Sequence, residues 1–233
     1  PRDNGLIIKG GRESVADRGL FITKKRYAIN IFDSEGKRLD VTGKQGKIKA
    51  MGLDLKRSDT PKVIQDFLMT LLTRVLAGAE RQEIIDMIKT FKYEFKERPA
   101  WEKGSPKRVN NLTMYSKKEE REGRANMPGH VRAGMNWNTM KKMNSDNYSQ
   151  QIIDGMKTIV CKLKPNPLNW TSIGYPTDEM HLPQWFKELP FDDALMEATV
   201  VDQKIDNLLH VLEWDLASET NTTNTFNTLF EFD

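Results

Sequence analysis

The apolar residues of this chain change their spacing at one place, and that change limits the folds open to it. Leu20 and Ile22, then Tyr27, Ile29 and Ile31, recur at every second position. From Ile64 onward, Phe67, Leu68, Leu71, Leu72, Val75 and Leu76 recur at intervals of three and four. A period of two gives an extended strand one apolar face, whereas a period near 3.6 gives a helix one apolar stripe. The spacing therefore predicts an α+β protein: a short antiparallel β-hairpin or meander, then a mixed, mainly helical region with small β elements.

Local chemistry marks the joints. Asp33-Ser34-Glu35-Gly36 supplies turn residues before Lys37-Arg38-Leu39, and a short strand is expected at Lys47 to Leu53 after a Gly-rich, basic connector. Thr60-Pro61 offers a capping hydroxyl and a proline suited to a first helical position. Gly78 should close that helix. A second amphipathic run places Ile84, Met87, Ile88, Phe91 and Phe95 on one face, with Pro99 beyond its end. Residues 98–129 are polar, basic and punctuated by Gly and Pro, and the charge run KKEEREGR at 117–124 reads as a solvated loop or short helix. Met156 to Leu163 alternates as a strand, Pro183 to Phe191 is irregular, and Leu195 to Leu216 is a final helix with Val201, Ile205, Leu208, Leu209 and Leu212 on its stripe. The Thr/Asn-rich stretch after it reads as a tether, ending in the apolar-rich TLFEFD.

Charge separates along the chain. Residues 1–62 carry 15 Lys and Arg against 8 Asp and Glu, whereas residues 178–233 carry 2 against 13. A basic body suits a polyanionic partner and an acidic tail a different one. The sequence holds neither a bilayer-length apolar run nor a signal peptide, which predicts an intracellular protein without membrane contact. Cys161 is the one cysteine and is read as a buried apolar residue, while His181 and His210 have no ligand-spaced partners and are read as structural.

The segment RGLFITKKRYAINIF, residues 18–32, sets Lys24, Lys25, Arg26 and Tyr27 in a row. On an extended strand Lys24 and Arg26 would point to one face and Lys25 and Tyr27 to the other, so that both faces carry a cation at one level. Such a triple, preceded by Arg12 and Arg18, calls for an anion, and a nucleic-acid backbone is the favoured one. Lys and Arg also reach the minor groove, whose acceptors are common to every base pair, so the grip would tolerate any sequence.

The run GRESVADRGLFITKKRYAINIFDSEGKRL, with KKRY at 24–27, resembles the segment leaving the palm of family B DNA polymerases, most closely those of T-even-like bacteriophages and their marine relatives. KIKAMGLDLKRSDTPKVIQDFL at 47–68 resembles their palm-to-thumb connection, and MPGHVRAGMNWN at 127–138 a His-x-Arg thumb stretch. TLFEFD resembles the terminal peptide with which these enzymes hold a sliding clamp. The resemblance implies a palm end at 1–58, a thumb at 59–216 and a tethered clamp-binding peptide at 217–233. It implies primer–template DNA, a sliding clamp and the catalytic part of the polymerase as partners, in the cytoplasm of an infected bacterium. Lys24, Lys25, Arg26, Tyr27, Lys56 and Arg57 would touch the duplex, and Arg12, beside Glu13, would lie near the palm surface. His130 and Arg132 would be either direct DNA contacts or a structural pair. Leu229, Phe230 and Phe232 would enter the clamp, the alternative being a terminus that is disordered or docks on its own chain.

The same resemblance exposes a gap. Nucleotidyl transfer by these polymerases uses two aspartates that hold two Mg²⁺ ions, set in an S-L-Y-P-type stretch and a D-T-D-S-type turn. Neither stretch occurs, and Phe32-Asp33-Ser34 and Thr177-Asp178-Glu179 each carry a single aspartate, the second beside Glu179. The expectation is a C-terminal part of a DNA-directed DNA polymerase that binds no cofactor itself and is inactive alone, with Mg²⁺ in the complete enzyme. The alternative is a free-standing duplex-binding or clamp-binding accessory protein.

Overall fold

The computed structural model describes residues 14–41, 46–123 and 126–211. Arg12, Glu13, Leu229, Phe230, Phe232 and the tether lie outside the described residues, as does the side chain of Lys56.

The α+β expectation holds. A four-stranded antiparallel sheet comes first: β1 (Ser14–Thr23) pairs with β2 (Arg26–Ser34), and β2 also pairs with β3 (Lys37–Arg38) and β4 (Lys47–Met51). Two helices follow, α1 (Lys62–Leu76) and α2 (Arg81–Lys96). Then come β5 (Ser105–Arg108), α3 (Leu112–Glu122) and α4 (Gly129–Met143). Strands β6 (Lys157–Lys162) and β7 (Ser172–Pro176) complete a three-stranded antiparallel sheet in the order β5-β6-β7. The described chain ends in α5 (Gln184–Lys187), α6 (Asp193–Glu197), a π-helical turn (Ala198–Asp202) and α7 (Gln203–Val211).

Two apolar cores result. The first joins Ala28 of β2 and Ala50 of β4 to Leu53, Leu55, the α1 and α2 stripes and Val200, Val201, Ile205, Leu208 and Leu209. The small Ala28 and Ala50 face each other in register, with no side-chain bulk between the sheet and the residues packed on it. The second core surrounds Trp137, Phe186 and Ile173. There α4 lies against β7 backbone to backbone: a β-carbon on Gly174 would sit 3.6 Å from the main chain of Ala133 and Gly134.

A buried cation links the cores. The Lys103 ammonium donates to the Lys96 carbonyl at the end of α2 and pairs with Asp193 and Glu197, each at 3.0 Å. Lys92 of α2 reaches Asp202 in the π turn at 2.7 Å. Part of the acidic C-terminal balance is thus consumed inside the fold.

Several local expectations are corrected. The strand reading of KKRY fails because Thr23 pairs with Arg26, leaving Lys24-Lys25 as a two-residue hairpin turn. Thr60 does not cap α1: Pro61 occupies the cap, the Gln65 amide donates to the carbonyls of Arg57 and Thr60, and the buried Thr60 hydroxyl has no partner. The charge run at 117–124 falls largely in the short helix α3, one of its two expected forms, while β5 in the same polar stretch was not expected. The final helix runs without interruption from 193 to 211, widened by the π turn at Ala198–Asp202, and residues 212–216 of that expectation lie outside the described set.

Candidate nucleic-acid interface

Because β1 and β2 are joined by two residues alone, the lysines stand at the extreme end of the sheet. Lys24, Lys25 and Arg26 are exposed. Lys25 is in the left-handed region at φ 67°, a conformation that costs an L-residue roughly 1–2 kcal/mol. Glycine or asparagine would occupy it more cheaply.

The tip is braced on two sides. Gly52, at φ 68° directly after β4, has the Lys25 carbonyl oxygen 2.5 Å from the position of a β-carbon and the Arg26 Cγ at 2.8 Å. Any larger residue would displace the turn. On the other side Tyr27 lies opposite Phe21, with ring centroids 6.1 Å apart and planes 25° from parallel. Phe21 is 77% exposed, so the ring pair and the ammonium groups present a mixed apolar and cationic end to solvent.

A second group of cations forms around Asp59. Arg57 donates to it through Nε at 3.0 Å and Nη2 at 3.1 Å, and Lys107 of β5 donates at 3.1 Å. The Arg57 guanidinium, opposed by burial and helped by Lys107, holds the Asp59 carboxyl well below the usual carboxylate range. His130, in the first turn of α4, is lowered by burial and by the positive Lys107. Arg57, Lys107 and His130 therefore gather at one place, from the connection after β4, the edge strand β5 and the start of α4. Asp54 also lies 3.6 Å from Arg57 and pairs with Lys204 at 3.3 Å, so three cations face two carboxylates and an excess of positive charge remains.

The other candidates separate. Positions 130 and 132 are about 200° apart around a helix axis, and Arg132 is turned to Glu119 of α3, which it binds through a short charge-assisted bond. Arg18 donates to the Leu76 carbonyl at 3.0 Å and so satisfies the C-terminal end of α1, where a cation is favoured. Arg38 pairs with Asp40 at 2.5 Å and lies over the Phe32 ring. His181 and His210 lie on the described chain without a metal-ligand cluster.

Lys107 escaped the sequence reading, since its partner Asp59 is 48 residues away. Its neighbourhood, Ser105-Pro106-Lys107-Arg108, carried the weak signal of a proline-marked cationic edge strand. Among the described residues, no cluster of three or more His, Cys, Asp or Glu could hold a metal ion. Asp33 accepts from the Gly36 amide within its turn. No described helix is long and apolar enough to cross a membrane.

No family model matches the chain. Two curated proteins are similar to it. The DNA-directed DNA polymerase of Escherichia phage RB69 is 31% identical over 194 residues, covering 80% of this chain and 19% of that protein. The DNA-directed DNA polymerase of Enterobacteria phage T4 is 28% identical over 160 residues, covering 68% of this chain and 17% of that protein. The chain thus spans less than a fifth of the length of these curated relatives.

Proposed function

This chain is related to the DNA-directed DNA polymerases of T-even-like phages, and from that relationship we propose that it serves as the C-terminal, duplex-holding part of a family B replicative polymerase. One observation supports the grip above all. The two-residue turn at Lys24-Lys25 is fixed against Gly52 and pushes two ammonium groups and the flanking Arg26 beyond the sheet edge.

In this reading the hairpin tip meets the primer–template duplex near the growing end. Lys24 and Lys25 contact phosphates, and Arg26 with Tyr27 approaches the minor groove. Arg57 and Lys107 engage the backbone further along. Both are held ready by Asp59, which keeps their mutual repulsion low until phosphate oxygens arrive. The contacts carry no sequence information, as copying any template requires. Residues 59–216 act as the thumb, and Leu229, Phe230 and Phe232 hold a sliding clamp. The two metal-binding aspartates and their Mg²⁺ ions are contributed by the catalytic part of the polymerase, and the work is done in the cytoplasm of the infected bacterium.

The test is fluorescence anisotropy on a labelled primer–template over a salt series, comparing the chain with Lys24→Ala/Lys25→Ala/Arg26→Ala. Sequence-indifferent binding with a steep salt slope, flattened in the triple variant, is the expected result. Equal binding by both proteins would remove the hairpin from the interface.

A further inference from the structure

The loop between α4 and β6 combines two properties that rarely occur together: it is tied down along its length, and it holds one aromatic ring wholly in water. Asp146 accepts from the Tyr148 amide at 3.0 Å, from the Ser149 amide at 3.0 Å and hydroxyl at 2.6 Å, and from the Trp185 indole at 2.9 Å. The Trp137 indole donates to the Gln150 carbonyl at 2.9 Å, and the Gln150 amide donates to Glu179 at 2.7 Å. Asn138 bonds both the amide and the carbonyl of Ile152. Lys141 donates to the Ser149 carbonyl. Within this frame Tyr148 is 101% exposed. A side chain on a mobile loop can fold back onto apolar surface, but this backbone keeps the ring from doing so.

Residues on either side of Tyr148 in the chain line an open cleft of about 410 Å³, whose walls include Lys142, Ser145, Asn147 and Gln151. Those four side chains are exposed and make no hydrogen bond among the described residues. Asp146 also reaches the cleft, but all its acceptor capacity is directed into the loop. Lys141 and Lys142 bring positive charge to the rim from the last turn of α4.

We propose that Tyr148 and this cleft form a binding site for one unpaired nucleotide of a nucleic-acid strand, with the base stacked on the Tyr148 ring and its phosphate beside Lys142. A stacked duplex shows only backbone and base edges, so a protruding ring has no face to meet there. An unpaired base offers its whole face. The unused amide, hydroxyl and ammonium groups supply donors and acceptors for a base edge and a phosphate, and a cleft of this size admits one nucleotide. The site rests on the reading that nucleic acid is the partner, but it lies apart from the hairpin and can be tested apart from it.

The test uses a short fluorescein-labelled oligothymidylate and a labelled duplex, with anisotropy measured for wild type, Tyr148→Ala, Tyr148→Phe and Lys142→Gln. Each Tyr148 and Lys142 variant is also made in the Lys24/Lys25/Arg26 triple-alanine background. Tyr148→Ala should lose on the order of tenfold in single-strand affinity in both backgrounds, with duplex affinity unchanged. Tyr148→Phe should bind as wild type, and Lys142→Gln should weaken binding with a shallower salt slope. Single-strand affinity that is unchanged by Tyr148→Ala, or absent in wild type, overturns the site. A Tyr148→Ala loss seen equally on duplex overturns it too, as would a ring that binds only added protein. If the hairpin variant keeps full duplex affinity while the Tyr148 effect persists, the grip proposed for the hairpin fails and the nucleotide site stands.

Discussion

The carbonyl oxygen of Lys25 stands 2.5 Å from where a β-carbon on Gly52 would be, so the hairpin tip and the end of β4 are fitted main chain to main chain. Gly52 is also left-handed, at φ 68°. Gly52→Ala must accept both the backbone penalty and a displaced turn. A loss of about 2 kcal/mol or more in urea unfolding is expected, together with weaker duplex binding. A variant as stable as wild type would show that the tip yields freely.

Lys25→Gly separates stability from binding. Removing the side chain relieves the left-handed strain and should raise stability by about 1 kcal/mol. It also deletes an ammonium group at the tip, and affinity for duplex should fall with a smaller salt slope. Opposite signs in the two measurements are the expected signature, and a fall in both would mean that Lys25 makes a stabilising contact in the fold.

Asp59 holds Arg57 and Lys107 and is itself held charged by them. Its carboxyl is depressed in the folded state, so the stability it contributes is present above the ordinary carboxylate range near pH 4 and is lost as pH falls further. Asp59→Asn should be less stable than wild type at pH 7, with the gap closing in acid unfolding curves. In duplex binding the variant should gain affinity and a salt slope steeper by about one ion, because Lys107 loses its carboxylate partner and Arg57 keeps only Asp54, at 3.6 Å. Unchanged DNA affinity would place Arg57 and Lys107 away from the duplex.

Lys103 is the buried tie between the cores, and burial alone would lower its pKa. Glu197 and Asp193 outweigh that burial and raise it instead. Lys103→Met leaves both carboxylates without their cation and the Lys96 carbonyl without its donor. A loss of about 2 kcal/mol is expected, seen as a lower urea midpoint. Since the cation's contribution is present below the ordinary lysine range and lost as pH rises through its raised pKa, the difference from wild type should hold throughout the neutral range.

How much of this could be read in the sequence depended on contrast. The α1 and α2 stripes were legible because large aliphatic residues alternate with charge, and the turn at Asp33 to Gly36 because its residues are turn formers. Helix α4 was not recognised. Its buried face includes Ala133, Gly134 and Asn136 alongside Val131 and Trp137, and small or polar residues there read as a break. Strand β7, Ser172–Pro176, is buried at every position and contains Gly174 and Pro176, so it shows no alternation. The Lys24-Lys25 turn lacked glycine, asparagine and aspartate, and its cations drew attention to charge rather than to chain reversal. The grouping of Arg57 with Lys107 and His130 was invisible for a different reason: it depends on β5 and α4 being brought back to the connection before α1.

The first core places Ala28 with Leu208 and Leu209. A ribosome making this chain would release the sheet, α1 and α2 long before the helix that covers them. Until that helix emerges, Ile64, Leu68 and Leu72 have an incomplete roof, while the second core is already being synthesised beside them. Completion of the earliest part waits for the last described helix, so the two halves are expected to mature together rather than in the order of translation, with the exposed α1 stripe the segment most in need of protection meanwhile.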